Sequence, residues 1–441
     1  MPGSEGTELA GVGFETLKQG GVPLRYFAPV LSPLAGVVAD FESNPAGVPV
    51  LGVNSVTLAD GKGVVVGMSV QHNMMDAIGM FELVRLWGDC VRADSGGDDD
   101  LSTAPDPQEP LHRDRLLRRA TSETRRSAEK ASSFHDLLAR HREFSLRSAG
   151  PQPRQPQLIP PSSSQLFNFD SAKLDNTKLA LRALAAADPS LGLDPALVTT
   201  NNVLCAIAWS CITRIRTAHR GAPDTRFNSK LFIPVNGRTR ILPNSELAGK
   251  TERRPFLGNV ILVGMAGAST AQLAEGAAAL AAALTSSDSS GGGDDDDDDD
   301  ITMSYYYRLA TLVKPVAAAI ARVTPAFIAE VLELAGSAPV ASDVAFGWDM
   351  SDRSGGWNVS VSSWANMGVY EAEFGSGVGR LQSLRVPEIK GVDRCLVVVP
   401  RKREGGWEGG EKRIEVVVCL CEEDLEALGI DGVWTKYLQI A

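Results

Sequence analysis

The residue whose type and position best suit chemistry is His72. It follows Val64–Val70, a short apolar run with β-branched residues that predicts a buried strand. A histidine just beyond such a strand lies where α/β folds expose reactive groups, and its imidazole titrates near neutral pH, so it can act as a general base. Asp76, four residues later, can orient a ring or hold the loop. The pattern alone also fits an ordinary loop histidine.

The residues after this loop predict a helix. Apolar side chains recur with helical spacing through Asp76–Trp87, at Met80, Leu83, Val84 and Trp87. The unit that would position His72 is therefore a strand, a short loop and a helix. The other four histidines lie in polar or linker contexts and are expected at the surface: His112, His135, His141 and His219.

Strands and helices alternate along both halves of the chain, which predicts an α/β fold. Further strands are expected at 231–235, 260–263, 358–364, 396–400 and 414–421, and helices at 199–209, 271–284 and 422–428. A Gly-rich polar turn separates the last two strands, so they are expected to pair as a hairpin. We expect an N-terminal unit over 1–93, a polar linker with a basic helix over 94–165 and a second unit over 166–441.

Charge is unevenly placed along the 441 residues. The 43 Lys and Arg against 54 Asp and Glu give a formal charge of −11, which makes the chain a poor general binder of nucleic acid. Seven of these carboxylates form the run Asp294–Asp300, so the remainder carries only −4. With the Ser and Gly before it, this run predicts a disordered acidic loop over 286–300. Calcium binding is not expected, since it needs oxygens held in a fixed cage.

The cysteines favour a reduced protein. Six in a chain of this length do not make a disulfide framework, and without a Cys-x-x-Cys pair no structural zinc site is expected: Cys90, Cys205, Cys211, Cys395, Cys419 and Cys421. No apolar run reaches about 18 residues, and Met1–Gly6 lacks the layout of a signal peptide. Cys419 and Cys421 alternate on one face of the strand expected at 414–421, which predicts buried, reduced thiols at these two positions. A cytoplasmic protein with no membrane association is expected.

Four stretches together resemble the motifs of the BAHD family of acyl-CoA-dependent acyltransferases, in particular its branch of trichothecene 3-O-acetyltransferase-like proteins. They are His72–Gly79 for His-x-x-x-Asp-Gly, Val235–Arg238 for Val-Asp/Asn-Gly-Arg, Leu257–Val260 for Phe/Leu-Gly-Asn, and Ser362–Trp364 with Val369–Gly377 for Ser-Trp and Tyr-x-x-Asp-Phe-Gly-Trp-Gly. Each motif alone is a modest signal. Four in the family's order, over residues 72 to 377, make the resemblance specific.

The resemblance implies two chloramphenicol-acetyltransferase-like lobes, each a mixed β-sheet with flanking helices, and a channel between them with His72 at its middle. His72 would take a proton from a hydroxyl or amine of a small secondary-metabolite acceptor. Acyl-CoA, by default acetyl-CoA, would be the co-substrate, with no bound cofactor and no metal. Asp76 would be structural, with Arg238 as its expected partner. The indole N–H of Trp364 would be a donor to the oxyanion, although Trp364 equally fits a core residue, and a monomer is implied.

Some positions depart from the family pattern. Ala77, Glu373 and Ser376 stand where the family usually has glycine, aspartate and tryptophan. His72 also comes early, which implies an incomplete N-terminal lobe that lacks roughly 80 to 100 residues and leaves a strand edge open. Two alternatives therefore stay open: an inactive truncated member or binding protein, and a condensation-type domain, which usually has a second histidine where this chain has Gln71.

Overall fold

The computed structural model describes residues 8–27, 34, 47–94, 118, 133–146, 161–221, 228–241, 256–289, 295–339, 344–346, 356–387, 392–402 and 413–439. The strands are β1 (Leu51–Thr57), β2 (Val64–Val70), β3 (Phe144–Leu146), β4 (Ser162–Asp170), β5 (Asn228–Asn236), β6 (Ile261–Ser269), β7 (Val344–Phe346), β8 (Val359–Ser363), β9 (Cys395–Val398) and β10 (Arg413–Cys421). The α-helices are α1 (Phe14–Gln19), α2 (Ala77–Asp94), α3 (Phe134–Arg140), α4 (Ser171–Ala187), α5 (Thr200–Arg220), α6 (Arg238–Ile241), α7 (Thr270–Ser289), α8 (Asp295–Ala321), α9 (Pro325–Ser337), α10 (Gly375–Val378), α11 (Glu422–Gly429) and α12 (Gly432–Lys436).

The larger sheet has six strands in the order β4–β10–β9–β8–β5–β6. The pairs β5–β8 and β8–β9 are parallel, and the other neighbours are antiparallel, so the sheet is mixed as expected. Strands β9 and β10 pair antiparallel, which confirms the predicted hairpin. Its register sets Cys395 opposite Cys419, and burial raises the pKa of the Cys395 thiol to about 12.

Helix α5 is the centre of the main core. Thr199 caps it by accepting a hydrogen bond from the Asn202 backbone N–H at 3.2 Å, as the sequence predicts. From Val203 to Ile212 the helix is buried on every side, because the sheet lies on one side of it and other helices on the other. The indole of the fully buried Trp209 donates to the Ser229 hydroxyl at 2.7 Å, so the polar atom of this large side chain is satisfied inside the core.

The N-terminal unit contains a second, smaller sheet. Strands β1 and β2 pair antiparallel from Leu51–Val70 to Thr57–Val64, and the described residues add no further strand to them. Within the described residues this sheet is therefore a two-stranded hairpin. One of its faces is apolar and more than two-fifths exposed, with Leu51, Val53, Val64 and Val66. Such a face normally packs against a neighbouring layer.

Part of the segments expected as loop or linker is helical in the described residues. Within the expected loop over 286–300, the structure places Ser286–Ser289 in α7 and Asp295–Asp300 in α8, and 290–294 lie outside the described residues. Most of the expected linker over 94–165 also lies outside the described residues, which there include α3 and β3.

One of the histidines expected at the surface is not there. His141 is fully buried, with Nδ1 at 2.9 Å from Glu143 and Nε2 at 2.9 Å from Glu330. Glu330 comes from a distant part of the chain, so the local sequence does not reveal this partner. His135 and His219 are exposed as expected, and Nδ1 of His219 lies 2.9 Å from Asp424. His112 lies outside the described residues.

No single helix in the described ranges is long and apolar enough to cross a membrane. The segment Met303–Ala321 of α8 and the helix α9, bent by 64° at their junction, meet the length and composition requirement as a pair.

Candidate active site

His72 lies in a turn that begins as soon as β2 ends. The backbone N–H of Gln71 donates to the Val50 carbonyl at 2.9 Å, and the Gln71 carbonyl accepts from the N–H of Met74 at 2.9 Å. The chain therefore leaves the strand pairing at Gln71 and turns back towards α2. The His72 side chain is exposed on this turn, so a substrate can reach the imidazole.

Asp76 is buried and holds the start of α2. One carboxylate oxygen accepts from the backbone N–H of Gly79 at 2.9 Å, the bond of a helix N-cap. The other accepts from Arg238 Nη1 at 2.8 Å and from the backbone N–H of Val260 at 2.8 Å. The expected contact between Asp76 and Arg238 is thus present. Both oxygens are engaged by groups other than the His72 ring.

The guanidinium of Arg238 joins three separate segments of the chain. Besides Asp76, it donates to the carbonyl of Phe256 through Nε at 3.2 Å and Nη2 at 3.0 Å, and Nη2 also donates to the carbonyl of Gly258. The residue is only 7% exposed. A buried charge is tolerated where its donors are satisfied and an opposite charge is close, which is the arrangement found here.

The segment Leu257–Val260 braces the His72 loop directly. The side-chain amide of Asn259 donates to the His72 carbonyl at 2.8 Å, and Met75 forms an isolated antiparallel bridge with Gly258. Gly79 permits this approach, because a Cβ there would lie 1.9 Å from the Leu257 carbonyl oxygen. The role of Asn259 was not predicted. Its place in the third motif was the available signal.

Trp364 follows the end of β8 and packs near the His72 unit. Its ring meets Phe81 of α2 edge-on, with centroids 5.6 Å apart. Its indole N–H donates to the Ser362 hydroxyl at 3.0 Å. An oxyanion role for Trp364 would therefore require that this hydrogen bond be exchanged, and the role stays a prediction.

The fourth motif packs against the far half of α2. Phe374 meets Trp87 edge-on at 5.8 Å between ring centroids, and Gly88 lies so close to Glu373 that a Cβ would be 2.6 Å from its carbonyl oxygen. Gly375 adopts a φ of +73°, which explains why glycine stands there. These contacts orient α2 and involve no atom of His72.

In the part of the chain that the structure describes, no group of three or more His, Cys, Asp or Glu side chains is arranged to hold a metal ion. The exposed imidazole of His72 is the group at this site that can accept a proton from an acceptor molecule.

Comparison with known proteins places the chain among acyltransferases. A model of the Transferase family matches residues 32–291. Trichothecene 8-O-acetyltransferase of Fusarium sporotrichioides is 26% identical over 399 residues, which cover 86% of this chain and 70% of that protein. O-acetyltransferase ptmV of Penicillium ochrochloron is 23% identical over 408 residues, covering 88% and 72%.

Solved structures share the fold. The crystal structure of F. graminearum TRI101 complexed with coenzyme A and T-2 mycotoxin aligns with a TM-score of 0.64 at 17% identity, over 98% of this chain and 79% of that one. This likeness confirms the predicted α/β fold. The family match covers more than half of the chain and includes His72, Asp76, Arg238 and Asn259, so the chain belongs to the transferase family, that of the BAHD acyltransferases.

Proposed function

We propose that this acyltransferase moves an acetyl group from acetyl-CoA to a hydroxyl of a small secondary metabolite, with His72 as the general base. The observation that carries the proposal is the exposed imidazole of His72 on a loop locked by Asp76, Arg238 and Asn259. The names of the relatives support the chemistry, since they include acetyltransferases that act on oxygen. An amine acceptor would use the same base.

The proposed reaction proceeds in two steps. An imidazole nitrogen of His72 takes the hydroxyl proton while the acceptor oxygen attacks the thioester carbonyl, which gives a tetrahedral oxyanion. Collapse of that intermediate breaks the carbon–sulfur bond, and the imidazolium returns its proton to the CoA thiolate. An N–H aimed at the oxyanion lowers the barrier. We propose that Trp364 supplies this donor once its bond to Ser362 is exchanged.

The test is thiol release by the purified protein with acetyl-CoA and a panel of alcohols. Loss of a general base typically lowers the rate about 100- to 10,000-fold, so His72→Ala should lower kcat by at least about 100-fold with an unchanged thermal midpoint. His135→Ala removes another exposed histidine and should leave kcat unchanged. Turnover by His72→Ala equal to that of the wild type would refute the assigned base.

A protein that binds without turnover is the second candidate function. The exposed apolar face of the β1–β2 hairpin favours it, because the N-terminal side of the site carries Leu51, Val53, Val64 and Val66 without a covering layer in the described residues. The thiol-release assay separates the two candidates, and calorimetric titration with CoA shows whether CoA binds. A binding protein would give heat on addition of CoA but no thiol release with any alcohol of the panel.

We also propose that the protein acts as a monomer, which the family resemblance supports. Light scattering should return a mass close to 46.9 kDa, independent of concentration. A mass that doubles as the concentration rises would contradict this.

A further inference from the structure

A cleft of about 480 Å³, measured with its open mouth, lies where the ends of β9 and β10 meet the segment after α10. Its lining includes the cations Arg401, Lys402 and Arg413, one carboxylate, Glu415, and the hydroxyls of Tyr370 and Ser383. None of these residues belongs to the His72 loop or to the segment that braces it.

The single carboxylate of this cleft is already neutralised from outside it. Arg385 holds both oxygens of Glu415, at 2.9 and 3.1 Å, and is itself fixed by donating to the carbonyls of Gly21 and Val22 at 2.7 Å. Arg413 makes a further contact with Glu415 at 3.1 Å. Among the described residues, three cations line the cleft and Arg385 lies beneath it, while Asp175 lies close enough to Arg401 for their charges to interact.

Lys402 is one of the cations that line this cleft. Its ammonium donates to the backbone and side-chain oxygens of Gln382, at 3.4 and 3.3 Å, both of which are neutral acceptors. Burial, and then the positive charge of Lys18, lower the pKa of Lys402 below its usual value. An anion bound beside the Lys402 ammonium would favour its charged form.

We propose that this cleft binds a dianionic phosphate group. Arg401 and Arg413 provide planar donor forks that match phosphate oxygens, and Lys402 adds a point charge. The hydroxyls of Ser383 and Tyr370 can donate to the remaining oxygens. A group of charge −2 would leave the lining close to neutral.

Two kinds of molecule carry such a group: a free phosphate or small phosphate monoester, and the 3′-phosphate of CoA. Assigning the site to the 3′-phosphate of CoA rests on the proposed function, and one contact in the structure supports this assignment. The backbone N–H of Arg401 donates to the carbonyl of Ala365 at 3.2 Å, the residue that follows Trp364 of the candidate active site. The cleft therefore borders the segment that carries the candidate oxyanion donor.

Binding of inorganic phosphate to the full chain at pH 8 tests the site without any turnover. The measurement is the saturable rise of the thermal midpoint at constant ionic strength, with chloride as the balancing anion. Arg401→Gln/Lys402→Gln should weaken phosphate binding at least tenfold, since two charge-assisted contacts are lost. Lys62→Gln/Arg142→Gln removes two exposed cations elsewhere and should bind phosphate as the wild type does.

A second variant tests the site even if the first variant misfolds. Ser383→Glu introduces a carboxylate into the cleft, so this protein should be more stable than the wild type without phosphate and should no longer respond to it. The proposal is overturned if the wild type shows no saturable response, if both double variants bind phosphate equally, or if Ser383→Glu keeps the response of the wild type.

Competition identifies the source of the phosphate and is independent of catalysis. If CoA displaces inorganic phosphate and dephospho-CoA does not, the site holds the 3′-phosphate of CoA. If neither displaces it, the site takes a free phosphate or a small monoester. Both results support the site, and failure of the His72 chemistry would affect neither.

Discussion

Replacing Asp76 by asparagine removes the only negative charge in contact with the buried guanidinium of Arg238 among the ion pairs of the described residues. The side chain keeps its size and loses one acceptor oxygen. Asp76 now accepts three hydrogen bonds, from Gly79, Arg238 and Val260, at 2.8 to 2.9 Å. An amide has one oxygen, so it can serve either Gly79 or the other two donors, and its NH₂ then faces a donor.

The expected loss of stability follows from these contacts. A hydrogen bond to a charged group is worth about 1.5–3 kcal/mol, and a buried donor left without an acceptor costs about 1–3 kcal/mol. The sum agrees with the roughly 3–5 kcal/mol measured when one partner of a buried ion pair is removed. Since a folded domain is stable by only about 5–15 kcal/mol, Asp76→Asn should lose a large part of that margin.

Urea unfolding followed by circular dichroism measures the change, with turnover measured in parallel. We expect kcat to fall at least about tenfold, because the His72 loop is no longer held against the segment Leu257–Val260 and misplaced groups lose rate steeply. Asp89→Asn is the matched control. It lies on the same helix, α2, with its side chain 24% exposed and paired with Arg92, so it should cost under about 1 kcal/mol.

A double-mutant cycle with Arg238→Gln isolates the pair. In the Arg238→Gln background, Asp76→Asn should lower the free energy of unfolding by at least about 1 kcal/mol less than it does in the wild type, because the guanidinium that Asp76 neutralises is absent. The reasoning is refuted if Asp76→Asn costs no more than Asp89→Asn, or if the two effects simply add.

Three further predictions concern packing, thiols and pH. Gly79→Ala should lower the free energy of unfolding in urea by about 1–3 kcal/mol, because its Cβ would meet the Leu257 carbonyl. The control Gly336→Ala, in open space on α9, should be neutral or stabilising by up to about 1 kcal/mol. Equal effects of the two substitutions would contradict this prediction. Cys90 is the exposed cysteine, so one thiol should react quickly with an aromatic disulfide at pH 8, and two fast thiols would be inconsistent with the structure. Burial raises the pKa of Asp424, but the charge of Arg216 and the hydrogen bonds from Cys421 and His219 outweigh it and leave the pKa below 3.8. The ionised Asp424 therefore stabilises the fold fully above about pH 4, and this contribution is lost as the pH falls through the lowered pKa. Between pH 5 and pH 3, Asp424→Asn should lose less stability than the wild type. An equal loss in the two proteins would contradict the assignment.

Much of the local structure could be predicted from the sequence. The β-branched run Val64–Val70 is strand β2, the apolar stripe after Asp76 is helix α2, and Thr199 caps α5. Each depends on periodicity or capping within one short stretch, which is why each could be recognised. The burial of Cys419 and Cys421 was also predicted and is confirmed by their place in β10.

The sequence did not reveal several features that depend on contacts between distant segments. His141 has the polar surroundings of a surface residue in the sequence, and its partner Glu330 lies 189 positions away. The aspartate run has the composition of a loop, yet Asp295–Asp300 continue into an apolar helix that packs in the core. Strand β1 was not predicted at all, although it pairs with β2 along its full length.

The sequence by itself determined which residues are candidates for the chemistry, because the identity and order of the motifs around His72, Arg238, Asn259 and Trp364 do not depend on coordinates. Only the tertiary structure decided how they act together. Asp76 and Arg238 are 162 residues apart, and Asn259 and His72 are 187 apart. Hydrogen bonds reach about 3 Å, so only the packing of the two parts of the chain can bring these atoms into range. That packing fixes the loop that carries the exposed imidazole of His72, the base that we propose.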